Sequence, residues 1–253
     1  MGTIKFGTDG WRGVIADDFT FPNVRTVACA IARYVVRAEK PNAGMLIGYD
    51  TRYGSERFAR AAAEVVSMTG MPVWVAEKAC PSPALSLLVR QRRAAGGIMI
   101  TASHNPYRWN GVKFKASYGS SALPSIVAQI EKELVTVLAE GVPPLPARPD
   151  CIQPLDILSD YLDTVDKLVD WDRIREANFR FVVDPMHGAA RGLRFERIET
   201  LTQTLLAAGE GDQFDAALRS GGAEQEERRR LQLKTLLVSL GETFRVLWQR
   251  REA

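Results

Sequence analysis

The first 140 residues alternate short apolar runs with stretches in which apolar residues recur every three or four positions. The runs at 45–49 and 97–101 have the length and composition of buried strands. The stretches at 24–36 and 126–137 have the spacing of helices that bury one apolar face. Because strands that alternate with helices of this length form a sheet covered by helices, the pattern predicts an α/β fold.

A proline-rich segment interrupts this alternation. Residues 141–149 hold four prolines, which argues against a helix or an interior strand there. We therefore predict a first domain over 1–140 and an interdomain linker over 141–154. A helical pattern and one further apolar run then predict the incomplete start of a second α/β domain over 155–194.

Strand patterns disappear after this point. Apolar residues recur at helical spacing and reach Phe244 and Leu247, so we predict an atypical helical tail over 195–253. Acidic residues and arginines are interspersed in it, which is typical of a solvated helix face. Its apolar face is expected to pack on the second domain or on a helix of a partner protein.

The net charge of +3 is concentrated in the tail. The segment from Arg219 to Ala253 holds eight Lys and Arg and five Asp and Glu, which accounts for the whole excess. Because acids dilute this basic run, we predict no nucleic-acid partner. No run of about 18 apolar residues occurs, so no membrane partner is predicted either. The N-terminus lacks the apolar core of a secretory signal, and the expected location is cytoplasmic.

A polar loop follows the apolar run at 97–101. Loops at the carboxyl ends of strands are where α/β sheets bind ligands. Pro106 disfavours helix at Asn105 and favours a turn, so the hydroxyl of Ser103 is expected to point outward. Taken alone, Ser-His-Asn-Pro is more typical of an ordinary polar turn than of a site. The complete loop reads Thr101-Ala102-Ser103-His104-Asn105-Pro106.

Cationic residues accompany three predicted strand ends. Lys113 lies in a short apolar run just after the loop, Arg12 lies in a glycine-rich N-terminal segment, and Arg52 follows a buried strand. Cations and backbone amides gathered in this way suit a phosphate group. For Arg52, an ion pair with Asp50 or Asp9 is an equally good expectation.

Three strings of the sequence resemble the α-D-phosphohexomutase family, which includes phosphoglucomutases and phosphomannomutases. They lie in order at 6–13, 101–106 and 184–189, and the resemblance covers roughly residues 3–193. The string Gly10-Trp11-Arg12-Gly13 resembles the phosphoglucomutase and phosphomannomutase branches more than the phosphoglucosamine branch.

The resemblance implies a fold and a reaction. The fold would be a three-layer α/β/α sandwich with a mixed sheet. The reaction would be an intramolecular phosphotransfer of carbohydrate metabolism, in which a phosphoserine and a hexose bisphosphate interconvert sugar 1-phosphates and 6-phosphates. Such a site needs in-line positioning and cations aimed at the transferring group, and little covalent chemistry from the protein.

The resemblance also assigns residue roles in this chain. Ser103 would carry the phosphoryl group and ligate Mg²⁺, while Lys113 and Arg12 would stabilise charge on the transferring group. The complete implied catalytic set is Ser103, Lys113, Arg12 and His104. The implied substrate-binding set is Asn105, Asn110, Thr8 and Arg52.

One family element is missing from the sequence. The family holds Mg²⁺ with three aspartates in the string Asp-Gly-Asp-x-Asp, and the nearest string here, at 209–215, has neither that spacing nor a preceding strand. The family's later domains have no counterpart either, so we expect the chain alone to be inactive or weak as a mutase. It could be a truncated, frameshifted or fused product, or a divergent protein that kept the first domain.

A second function stays open for such a chain. A protein derived from the family could bind a sugar phosphate at the cationic rim, or a partner through its tail, without catalysing any reaction.

Overall fold

The computed structural model describes residues 4–7, 10–176, 180–184, 187–189 and 245–249. It divides into two compact units, Met1–Thr164 and Val165–Ala253. Among the described helices, none combines the length and the apolar character that crossing a bilayer requires.

Eight strands and six α-helices are formed by the described residues. The strands are β1 Trp11–Val14, β2 Met45–Tyr49, β3 Val73–Ala76, β4 Gly96–Ile100, β5 Trp109–Ala116, β6 Ile152–Leu155, β7 Arg180–Asp184 and β8 Arg245–Gln249. The α-helices are α1 Phe21–Ala38, α2 Ser55–Ser67, α3 Ser82–Gln91, α4 Pro124–Glu140, α5 Ile157–Leu168 and α6 Trp171–Glu176.

Six strands of the first unit form one mixed sheet in the order β1-β5-β4-β2-β3-β6. Strands β4, β2, β3 and β6 are parallel, whereas β5 is antiparallel to both of its neighbours, β1 and β4. The predicted mixed α/β sheet is thereby confirmed.

Two successive residues of β4 show that helices cover both faces of this sheet. A side chain at Gly97 would meet Val89 and Leu85 of α3. The next residue, Ile98, pairs with Phe114 of β5, whose ring packs edge-on against Tyr34 of α1. Because successive strand residues point to opposite faces, α3 and α1 lie on opposite sides, as the predicted three-layer sandwich requires.

Two strands lie in segments where the sequence analysis predicted no strand. Strand β1 occupies the glycine-rich N-terminal segment, where Trp11 anchors it by stacking on Phe19 with 5.0 Å between ring centroids. Strand β6 lies in the segment predicted as a linker and pairs with β3. Proline is tolerated in β6 because β6 is at the edge of the described sheet, where one row of its amides pairs with no other described strand.

The tail differs from the prediction in the one segment of it that the structure describes. Arg245–Gln249, which includes Leu247, is a strand that pairs antiparallel with Arg180–Asp184, and the predicted helix does not continue there. Apolar residues spaced three or four positions apart favour a helix, but this spacing does not exclude a short apolar strand of five residues. The rest of the predicted tail helix lies outside the described residues.

Candidate active site

The serine loop begins where two neighbouring parallel strands end. Strands β2 and β4 pair up to Tyr49 and Ile100, and the amide of Asp50 then donates to the carbonyl of Ile100 at 3.1 Å. Because parallel neighbours end at the same edge of a sheet, the loops that follow β2 and β4 meet there. The residues after Asp50 and those after Ile100 therefore form one site.

Ser103 has a backbone conformation that is uncommon for a residue with a side chain. Its φ of 59° lies in the left-handed region, and its amide donates to Thr101 Oγ1 at 3.0 Å. Its side chain is half-buried, and Oγ lies 3.5 Å from Nδ1 of the exposed His104. Non-glycine residues in this region carry strain and cluster at functional sites, so the loop presents Ser103 at some cost to stability.

Arg12 reaches the serine loop from β1, across the neighbouring strand β5. It pairs with Gly111 in the β1–β5 register, and its Nη1 donates to Oδ1 of Asn105 at 2.6 Å. A Cβ at Gly111 would lie 3.0 Å from Cγ of Arg12 and 2.7 Å from the carbonyl of Thr101. The missing side chain at Gly111 therefore lets the arginine pass toward the loop.

Lys113 is on the same face of the sheet as Arg12. Directly opposed residues in an antiparallel pair share a face, and Lys113 is two residues beyond Gly111, the partner of Arg12. It is 8% exposed, so its ammonium group is largely shielded from water. Shielding of this kind strengthens the interaction of a cation with a phosphate.

Arg52 contacts the serine loop through backbone oxygens. Its two terminal nitrogens donate to four carbonyls between 2.7 and 3.1 Å away, those of Ser103, Asn105, Pro106 and Trp109. Its Nε lies 3.2 Å from Oδ2 of Asp50, so the ion pair expected with that residue is present.

Asn110 lies beneath the loop and is fully buried. Its Nδ2 donates to Ser55 Oγ at 2.9 Å, and its Oδ1 accepts from the Gly111 amide at 2.8 Å. Ser55 in turn donates to Asp50. The structure thus places Asn110 in a buried network under the site, away from the surface that a substrate would meet.

The structure brings together most of the residues that the sequence analysis singled out. Lys113 shares a sheet face with Arg12, whereas Thr8 lies outside the described residues. The residues that surround the one loop are Ser103, His104, Asn105, Arg12 and Arg52.

The contribution of Ser55 was missed in the sequence analysis. Its hydroxyl connects Asn110 to Asp50 beneath the loop. The signal that could have found it is the spacing Asp50-x-Arg52-x-x-Ser55 between a buried strand and a helix.

The described residues do not by themselves fit a magnesium site. No group of three or more His, Cys, Asp or Glu side chains that could hold a metal occurs in the part of the chain that the structure describes. The side chains around Ser103 include an imidazole and two guanidiniums, which cannot bind a cation as oxygen ligands do. The side-chain oxygens of Thr101 and Asn105 accept from Ser103 and Arg12, and the carboxylate of Asp50 is engaged by Arg52 and Ser55. Magnesium prefers several oxygen ligands, which this set does not supply.

A sequence profile described as "Phosphoglucomutase/phosphomannomutase, alpha/beta/alpha domain I" matches residues 3–139, more than half of the chain. The chain belongs to this family. It is a phosphohexomutase-family protein whose match to the first domain includes the serine loop.

Relatives of this phosphohexomutase-family chain include two curated proteins and one solved structure. It is 39% identical over 129 residues to "Phosphoglucosamine mutase" of Picosynechococcus sp., covering 51% of this chain and 27% of that protein. It is 32% identical over 204 residues to "Phosphoglucosamine mutase" of Caldicellulosiruptor saccharolyticus, covering 79% and 44%. A solved structure, of a "putative phosphomannomutase" from Thermus thermophilus, is 33% identical with a TM-score of 0.60 and covers 69% of this chain and 37% of that one.

The chain spans between about a quarter and a half of the length of these curated relatives. Both curated relatives are named phosphoglucosamine mutase, whereas the solved structure is described as a putative phosphomannomutase, so the branch predicted from Gly10-Trp11-Arg12-Gly13 stays a prediction.

Proposed function

We propose that Ser103 carries a phosphoryl group in the interconversion of hexose 1-phosphate and 6-phosphate. The observation that supports this most directly is the hydrogen bond from Arg12 to Asn105, because it brings a cation from β1 against the loop that presents the serine. The exposed His104 and the half-buried Ser103 leave the loop open to a substrate.

The proposed step transfers phosphorus between two oxygens. The bond between Ser103 Oγ and phosphorus forms as the bond between phosphorus and a sugar oxygen of a hexose bisphosphate breaks, and the serine proton ends on that sugar oxygen. Arg12 and Lys113 stabilise the charge on the transferring group, and His104 orients Oγ. Preorganised cations of this kind lower the barrier because their cost is met on folding rather than during the reaction.

We propose that the 253-residue chain performs this half-reaction but turns over a monophosphate slowly or not at all. The sequence holds no Asp-Gly-Asp-x-Asp string, and the described donors around Ser103 do not fit magnesium on their own. Turnover of glucose 1-phosphate with trace bisphosphate and magnesium at ordinary enzyme rates, about 1–1000 per second, would contradict this proposal.

The test of the carrier role is a mass measurement. The intact chain is incubated with glucose 1,6-bisphosphate, and we expect the mass of one phosphate to be added to the wild type and none to Ser103→Ala. Ser125→Ala, a matched change at an exposed serine of α4, should be labelled like the wild type. Labelling that persists in Ser103→Ala would contradict the proposal, and binding of the bisphosphate without labelling would favour the non-catalytic alternative.

A further inference from the structure

The guanidinium of Arg52 has five N–H donors, and each has a partner within the protein. Nε–H faces Oδ2 of Asp50 at 3.2 Å, Nη1 donates to the carbonyls of Pro106 and Trp109, and Nη2 donates to those of Ser103 and Asn105. Since an arginine has no further donor, contact with a substrate phosphate would require one of these bonds to break.

We infer that Arg52 and Asp50 form a brace that holds the serine loop in the geometry for phosphoryl transfer. The inference rests on the proposed function of Ser103 and assigns Arg52 a positioning role in place of the substrate-binding role predicted from the sequence. Two of the four braced carbonyls belong to Ser103 and Asn105, the residues that present the hydroxyl and meet Arg12.

Asp50 fixes the direction of the guanidinium. Its Oδ1 accepts from the backbone amide of Arg52 at 3.0 Å and from Ser55 Oγ at 2.8 Å, while its Oδ2 accepts the ion pair. Asn110 then donates to Ser55, which connects the brace to β5. The side chains of Asp50 and Arg52 are each 14% exposed, so water competes weakly for these bonds.

The loop needs such a brace because its backbone is unfavourable on its own. Four carbonyl oxygens converge on one point, and Ser103 has a φ of 59°. Without the guanidinium, these oxygens would repel one another and the loop would relax to a geometry with less strain. Lysine is a poor substitute because an ammonium group has three donors and no planar fork.

This role predicts a particular kinetic pattern. Arg12 and Lys113 stay in place when Arg52 is replaced, so binding of the bisphosphate should survive while the serine is misplaced. We expect Arg52→Met to lower the saturating rate of Ser103 phosphorylation by about 10- to 100-fold and to leave the half-saturating concentration nearly unchanged. Arg52→Lys should fall between Arg52→Met and the wild type.

A matched control and a rescue separate positioning from general loss of structure. Arg60→Met removes an exposed arginine that pairs with Glu56 within α2, and it should keep the wild-type rate. Millimolar guanidinium added to Arg52→Ala should restore part of the lost rate, which a misfolded variant would not show. A wild-type rate in Arg52→Met, or a raised half-saturating concentration at an unchanged saturating rate, would overturn the inference.

Amide hydrogen exchange tests the brace without any reaction. The amides of Thr101, Asn105 and Trp109 are hydrogen-bonded within the loop region, and their exchange should accelerate in Arg52→Met and stay unchanged in Arg60→Met. If the wild type is not labelled by the bisphosphate, the proposed function fails and this measurement alone decides on the brace. Equal exchange rates of these amides in Arg52→Met and Arg60→Met would contradict the inferred brace.

Discussion

Arg12 Nη1 lies 2.6 Å from Asn105 Oδ1, a contact between residues 93 positions apart in the chain. It connects β1, which is the edge strand next to β5, with the turn that follows β4. The contact depends on the narrow space over Gly111, where the arginine side chain crosses β5.

Gly111→Ala should therefore damage both the fold and the site. Its Cβ would lie 2.7 Å from the Thr101 carbonyl and 2.8 Å from the Trp11 carbonyl, and relief by backbone shifts costs about 1–3 kcal/mol. We expect a lower free energy of unfolding in urea and slower labelling of Ser103. Gly7→Ala, whose Cβ would meet only the carbonyl oxygen of Gly10 at 3.7 Å among the described residues, is the stability control. Equal stability of the two variants would contradict this prediction.

Replacing Ser103 by glycine should stabilise the fold relative to alanine. Glycine adopts a φ of 59° without strain, whereas alanine keeps the strain of the native serine, a difference of about 1 kcal/mol. At Ser86, in the middle of α3, the order should reverse because glycine is the poorer helix former by about 1 kcal/mol. Thermal unfolding of the four variants measures both differences, and the same order at both positions would count against strain at Ser103.

The carboxylate of Glu133 holds α4 to α1 through two arginines. It is 4% exposed, accepts from Arg33 Nε at 2.9 Å and is also paired with Arg37. Glu133→Gln should lower the free energy of unfolding by about 2 kcal/mol, less than for a fully buried pair because both arginines reach solvent. Glu56→Gln, which breaks an exposed pair with Arg60 in α2, should cost under about 0.5 kcal/mol. Urea unfolding of both variants is the measurement.

Burial makes the fold sensitive to alkali through Cys80. Desolvation raises the pKa of this thiol from 9.0 to about 12. The unfolded chain then loses the proton at lower pH than the native chain does, so unfolding releases a proton and high pH favours it. The contribution is complete below pH 9 and is lost as pH rises toward 12, by about 1.4 kcal/mol per pH unit.

The variant Cys80→Ala isolates this effect. The native protein should be the more stable of the two near neutral pH, because alanine leaves a small cavity, and the gap should narrow steadily above pH 9. Urea unfolding of both proteins at several pH values gives the gap. A gap that stays constant from neutral pH to about pH 11 would show that the buried thiol does not carry the alkaline sensitivity.

Periodicity predicted those elements that are buried on a regular pattern. Strand β2 and helix α1 have fully apolar or one-sided patterns and lie where the sequence analysis placed them. Strand β5 was predicted only as the short apolar run around Lys113, but it extends from Trp109 to Ala116 because it is paired on both sides and its ladder continues past that run. Strand β1 was missed because glycines, required by close neighbours, interrupt its pattern.

The site was predictable to the extent that strand ends determine it. Ser103 and Arg12 were expected at one edge of the sheet, and they meet there through Asn105. The ion pair of Arg52 with Asp50 was among the expectations, but its four other contacts could not be predicted, because they are with backbone carbonyls, which every residue has and no sequence pattern distinguishes. Nor could the sequence predict that Asn110 is buried and donates to Ser55, the first residue of α2, 55 positions away.

The outer rim of β6 has a consequence for self-association. Leu155 directs its carbonyl to the Glu77 amide at 3.1 Å, so the neighbouring residue, Pro154, turns its imide nitrogen outward. That nitrogen carries no hydrogen, which leaves a gap in the row of donors that a strand from another molecule would need. The missing N–H of Pro154 thus disfavours edge-to-edge pairing between two copies of the protein in concentrated solution.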